Sequence, residues 1–260
     1  MCTLTIIPIR GDDRAALAGV RVVTNRDESR KRPPALPPRL HVVNETRALW
    51  PTDAAAGGTW IAAGEHGLVL SILNVNFKPM PAPPAPDRIL TRGAIIPALI
   101  HERTPRAALA RLEEHFELDR FQPFRLVAIA PGEIVSARWD RSDLTVEKAP
   151  SDAAIYVSSG LGDDIVAPRL GLFAEWFASS GHTPDRQDAF HDHVWPDRTE
   201  QSVRMSRPDA RTVSTTTVEI RRNRDAASVF MRYVDDAGAS EISIPAPVRS
   251  RIKPTSGARC

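Results

Sequence analysis

Cysteine is nearly absent. The 260 residues hold two, Cys2 and Cys260, at opposite ends of the chain, which excludes the disulfide framework of small secreted domains. Long apolar runs are missing as well. Stretches such as Gly67 to Leu73 fall far short of the roughly 18 residues that span a bilayer, so no integral membrane segment is expected. The opening residues, Met1 to Arg10, lack the basic start and apolar stretch of a secretory leader, and a cytoplasmic protein is expected. Charge of one sign is also lacking: 34 Lys and Arg against 32 Asp and Glu leave a formal +2. The basic residues form no run of five, so nucleic acid is not an expected partner. Arginine outnumbers lysine 30 to 4, a bias read as genome composition rather than function. There is no glycine-rich phosphate loop and no Cys-x-x-Cys-His haem attachment, and no cofactor is expected.

What is present is ordinary globular material, 42% hydrophobic and 25% charged, enough apolar surface to offset chain entropy. The length fits one domain, expected over 1–244, with a flexible Pro-, Arg- and Ser-rich tail over 245–260. β-Branched runs predict a hairpin over 3–9 and 20–25, and a second over 57–64 and 67–74 whose turn glycines supply positive φ. Proline pairs at Pro33-Pro34 and Pro37-Pro38 predict an extended loop, and residues 78–86 a stiff proline-rich connector. Helices are predicted at 88–102 and at 105–117. In the second, Thr104 is the N-cap, Pro105 the first residue, and Leu109, Leu112 and Phe116 the apolar face. Strands follow at 124–130, 133–139, 144–147 and 154–158. Helices return at 165–179, with Val166, Leu170, Phe173 and Phe177 in line, and at 184–194. Two final strands, 211–221 and 228–234, close the domain. Blocks of strands and blocks of helices, rather than βαβ alternation, point to antiparallel sheets covered by segregated helices, an α+β class.

Three positions carry chemistry. A small residue after Met1 permits removal of the initiator methionine, which would leave Cys2 with a free α-amine and a thiol on one residue. The amine can accept the thiol proton, so nucleophile and base coincide. Asn25-Arg26-Asp27-Glu28 stands at the end of the strand expected over 20–25; if the first strand starts at Cys2 and the two pair antiparallel, that end lies beside Cys2. A carboxylate there can orient the amine, and a guanidinium can favour thiolate. Asn74 ends the strand after Leu68, where its amide can donate to an oxyanion. Each position has a plain structural reading too: a small hydrophobe, a charged turn and a strand terminator. His191-Asp192-His193 is not expected to bind a metal, because residues i and i+2 of a helix do not face each other.

Met1-Cys2, Asn25-Arg26-Asp27-Glu28, and Gly57-Gly58-Thr59-Trp60 followed by a strand ending in Asn74, together resemble the NRDE family, known from the transport and Golgi organisation type two proteins. The resemblance is densest over 1–78 and reaches Ala210 to Thr217. It implies a branch of the N-terminal nucleophile hydrolases, with a four-layer αββα sandwich similar to that of cysteine enzymes that cleave bile-salt amides and penicillins. By that resemblance Cys2 is the nucleophile, Asp27 the carboxylate near its amine, Arg26 the guanidinium, Asn74 the oxyanion asparagine and Arg211 a second arginine. Asn25, Trp60 and Ser159 are expected to bind substrate. Ser159 stands in Val157-Ser158-Ser159-Gly160, where the amide hydrolases carry another Asn. The implied activity is cleavage or transfer at a carbon–nitrogen amide bond of a small molecule. The alternative is a non-catalytic protein of the same fold that binds or moves haem, a lipid or an acyl compound.

Overall fold

In the computed structural model, which describes residues 2–11, 17–149, 153–178, 181–223 and 226–246, the chain's β-branched opening forms the predicted hairpin. β1 (Cys2–Arg10) pairs antiparallel with β2 (Leu17–Ser29), and Cys2 stands opposite Arg26. On its other side β1 pairs with β10 (Ala154–Ser158), Cys2 opposite Ser158. Beyond β2 lie β11 (Ala210–Asn223), β12 (Ala226–Asp235) and β13 (Gly238–Ile244), which complete a six-stranded sheet in the order β10-β1-β2-β11-β12-β13. The strand period of two gives β1 two buried faces. Leu4 and Ile6 enter the core between the sheets, while Ile7 packs with Phe173, Phe177 and Phe190 on the helix side.

The second sheet is a seven-stranded meander: β3 (Leu36–Val43), β4 (Thr46–Thr52), β5 (Ile61–Gly64), β6 (Val69–Asn74), β7 (Phe124–Ala130), β8 (Glu133–Trp139) and β9 (Leu144–Lys148). Gly67, at φ 88°, supplies the positive φ between β5 and β6. Val69, Leu73, Val127 and Ile129 face the first sheet. Ala62, Leu68, Leu70 and Leu126 face away, against α1 (Ile95–Leu99) and α2 (Pro105–His115). α3 (Pro168–Ala178) and α4 (Pro184–His191) cover the opposite outer face. The result is the expected αββα sandwich. Thr104 caps α2 by accepting from Ala107 N at 3.1 Å, and Thr183 caps α4 in the same way. Among the described residues no helix is long and apolar enough to cross a membrane.

Four expectations need correction. The proline-paired stretch taken as a loop carries β3 and most of a hairpin with β4. Pro37 and Pro38 are tolerated because β3 is an edge strand whose register slips between Leu36 and Arg39. The helix placed at 88–102 shrinks to a 3-10 turn over Arg92–Ala94 and the five residues of α1. In α3, Leu170 is exposed and Arg169 takes its place on the buried stripe with Phe173 and Phe177. A third closing strand, β13, follows the two expected ones. The tail expectation beyond residue 246 lies outside the described residues.

Candidate active site

The start of β1, the end of β2 and the end of β6 meet at one end of the sandwich. Between them lies a cleft of about 270 Å³, whose wall includes Cys2, Arg26, Asp27, Trp60, Asn74 and Arg92. Cys2 is only 7% exposed. Its backbone N–H donates to Ser158 Oγ at 3.1 Å. Burial pushes the thiol up from its ordinary range and Asp27 adds to this, while Arg26 and a hydrogen bond from the Asp27 backbone oppose it. A nucleophilic attack needs a proton acceptor at the same place.

Asp27 and its neighbours on β2 alternate between the two faces. Asp27 turns toward the helices, where Thr212 Oγ1 donates to its Oδ1 at 2.6 Å and Arg169 lies 3.6 Å from Oδ2. Both charged groups are 1% exposed. Burial raises the Asp27 carboxyl, and Arg169 and Thr212 pull it back. Arg169 is itself tied down, donating to Thr3 Oγ1 at 2.7 Å and to the Gln201 carbonyl at 2.9 Å. Arg26 points the other way, into the cleft. It lies over the Trp60 ring at 4.5 Å, 2.6 Å from Asp53 Oδ2 and 3.5 Å from Glu28. Arg32 grips the same two carboxylates at 2.9 and 3.5 Å. Burial alone would raise Asp53, but its bond from Arg32 and the Arg26 charge hold it below the ordinary carboxylate range.

Asn74 closes β6 on the facing sheet, partly exposed. Among the described residues its side-chain amide has no protein partner, so it is available to a ligand. Trp60 sits in the inter-sheet core beneath Arg26. The loop before it is held by a close backbone crossing: Thr59 N donates to Gly93 O at 3.1 Å, and a Cβ on Gly58 would lie 2.5 Å from the Gly93 carbonyl carbon. This contact gives the Gly57-Gly58-Thr59-Trp60 motif a physical reason. It sets Trp60 and Arg92 on one wall.

Three sequence candidates lie elsewhere. Asn25 is fully buried on the helix side, donating to the His191 and Val203 carbonyls at 2.8 and 3.0 Å and accepting from Thr215 at 2.9 Å. It anchors α4 and does not line the cleft. Ser159 accepts from Leu161 N at 3.2 Å within its own turn, and it is Ser158 that reaches Cys2. Arg211, opposite Glu28 on β11, pairs with Asp236 and lines a neighbouring cavity of about 360 Å³ with Tyr233. Sequence reading missed Asp53, Arg169 and Arg92. None belongs to a recognisable motif; the misplaced α3 stripe hid Arg169 and the overlong helix hid Arg92. His191 is buried against Thr5 Oγ1 at 2.7 Å, while His193 stands edge-on to Trp176 and Trp195. Among the described residues no three His, Cys, Asp or Glu side chains gather to hold a metal.

Residues 1–236 match the family model described as Transport and Golgi organisation 2. No curated protein matches the chain in sequence. Among solved structures, an N-acylethanolamine-hydrolyzing acid amidase orthologue from Caenorhabditis elegans superposes with a TM-score of 0.53 at 13% identity, covering 84% of this chain and 92% of that one. An arginine-to-leucine variant of conjugated bile acid hydrolase from Clostridium perfringens gives 0.48 at 11% identity, over 92% of each chain. At 13% identity the first of these likenesses bears on the fold alone: the two chains share the layered sandwich.

Proposed function

The chain belongs to the Transport and Golgi organisation 2 family, and from that premise we propose that it is a cofactor-independent hydrolase or acyltransferase acting on a carbon–nitrogen amide bond of a small molecule. After loss of Met1, Cys2 would carry both thiol and amine. The sulfur attacks the amide carbonyl carbon as its proton passes to the α-amine. The tetrahedral oxyanion is held by the Asn74 amide and a backbone N–H. The α-ammonium then protonates the leaving nitrogen as the carbon–nitrogen bond breaks. Water, or an acceptor amine in the transfer case, releases the acyl group from the thioester.

The observation that carries this reading is the meeting of Cys2, Asp27 and an unpartnered Asn74 around one cleft. The Cys2 nitrogen lies against Ser158, where a freed amine would keep a hydrogen-bond partner. The high-lying thiol is what a non-catalytic haem- or acyl-binding protein would also tolerate. The test is hydrolysis of a panel of N-acyl compounds by the processed protein, with Cys2→Ala as control. Turnover lost in Cys2→Ala supports the amide-cleaving reading. Ligand affinity without turnover, unchanged in Cys2→Ala, supports the binding protein instead.

A further inference from the structure

The charges around the cleft do not cancel. Asp53 and Glu28 close on Arg26 and Arg32, and Asp27 closes on Arg169. Arg92 is left over. It stands on the same wall as Asn74 and Trp60, held by one hydrogen bond from Nη1 to the Pro123 carbonyl at 2.9 Å. Among the described residues no carboxylate lies within ion-pair distance of it. The guanidinium has five N–H donors in a planar fork, so most of its donors remain for a guest. Burial lowers it to about 10, with a thiolate at Cys2 and the Glu28 carboxylate pulling the other way, and it is charged throughout the neutral range. A partly buried cation without a counter-charge has given up some of its solvation, and a bound anion makes good that loss.

We propose that Arg92 is a specificity residue that receives a carboxylate of the substrate, so that the cleft selects amides bearing an anionic group within a few atoms of the scissile carbonyl. The assignment to substrate rests on the amide-hydrolase reading; the anion site itself does not. A competing role, pairing only with the Cys2 thiolate, would use one side of the fork. It would not distinguish charged from neutral guests when the sulfur is absent.

The test therefore uses Cys2→Ala protein and two matched probes, N-octanoylglycine and its neutral counterpart N-octanoylglycinamide, compared by calorimetry. The carboxylate is expected to bind at least about tenfold tighter, as for a charge-assisted bidentate contact. In Cys2→Ala with Arg92→Gln the two probes should bind alike. Arg92→Lys, which keeps the charge but not the fork, should retain part of the preference and covers the case in which the glutamine variant does not fold. Equal affinities in Cys2→Ala, no binding of either probe, or a preference that survives Arg92→Gln overturns the proposal. Protein carrying Cys2 that hydrolyses no N-acyl compound, with the preference intact in Cys2→Ala, removes the hydrolase reading and leaves Arg92 as an anion-binding residue.

Discussion

At the residue scale the site depends on a few side chains whose partners decide what they can do. Asn74 has its amide to spare, and one oxyanion donor is typically worth about 3–4 kcal/mol in the transition state. Asn74→Ala is therefore expected to lower kcat on any amide substrate by hundreds-fold, with KM changed little; steady-state kinetics check this, and an unchanged kcat removes Asn74 from the oxyanion role. Asp27 differs, because it is both near the nucleophile and inside a buried pair. Asp27→Asn leaves the Arg169 guanidinium, 1% exposed, without its counter-charge. Breaking one side of such a pair costs about 3–5 kcal/mol, so urea unfolding should show a midpoint well below wild type. A loss of activity in Asp27→Asn then has to be read on the folded fraction alone.

At the element scale two contacts set the architecture of the cleft. The first is the backbone crossing of Gly58 and Gly93. A methyl group at Gly58 meets backbone at 2.5 Å, which no rotamer relieves. Gly58→Ala is expected to destabilise by about 1–3 kcal/mol and lower Tm by several degrees, and to weaken ligand binding by separating Trp60 from Arg92. The second is the seat of α4 on the six-stranded sheet. Arg21 on β2 reaches Gln187 at 2.9 Å and Asp188 at 2.7 Å, and His191 sits against Thr5. Burial, with Arg21 and Arg169 nearby, lowers His191 to about 3. The folded state keeps this ring neutral, while the unfolded chain takes up a proton below about 6.5. Its share of stability is complete above that pH and drains away as pH falls toward 3. Between pH 7 and pH 5 the loss is about 2 kcal/mol. His191→Gln should flatten this part of the urea-midpoint-against-pH curve; an identical slope would show that other groups govern acid sensitivity.

At the scale of the whole molecule, much of the sandwich was legible because its strands alternate or run apolar between turn residues. β7 and β8 were read to their ends, and Thr104-Pro105 marked α2 through capping chemistry. β3 was illegible because its prolines are permitted only by its place at a sheet edge, a fact of topology. β13 was hidden by its polar, half-exposed sequence. At the site, Cys2, Arg26, Asp27 and Asn74 could be nominated through the resemblance to the NRDE family, since each alone reads equally as ordinary strand or turn structure, and the structure brings these four together with Trp60. Asn25, Ser159 and Arg211 could not be told from cleft residues, because a strand's register and facing are set by its partners. Arg169 carries a charge that matters only after folding buries it, and Arg92 one that matters only after folding sets it on the cleft wall.

In the proposed reaction the sulfur of Cys2, freed at the chain end, is the attacking atom. Intact-mass measurement of the purified protein, before and after exposure to an acylating β-lactone with a short alkyl chain, tests it most directly. The expected result is a chain lacking Met1 that gains one probe mass on Cys2, with no gain in Cys2→Ala. Retained methionine, or folded protein that gains no mass at Cys2, would contradict it.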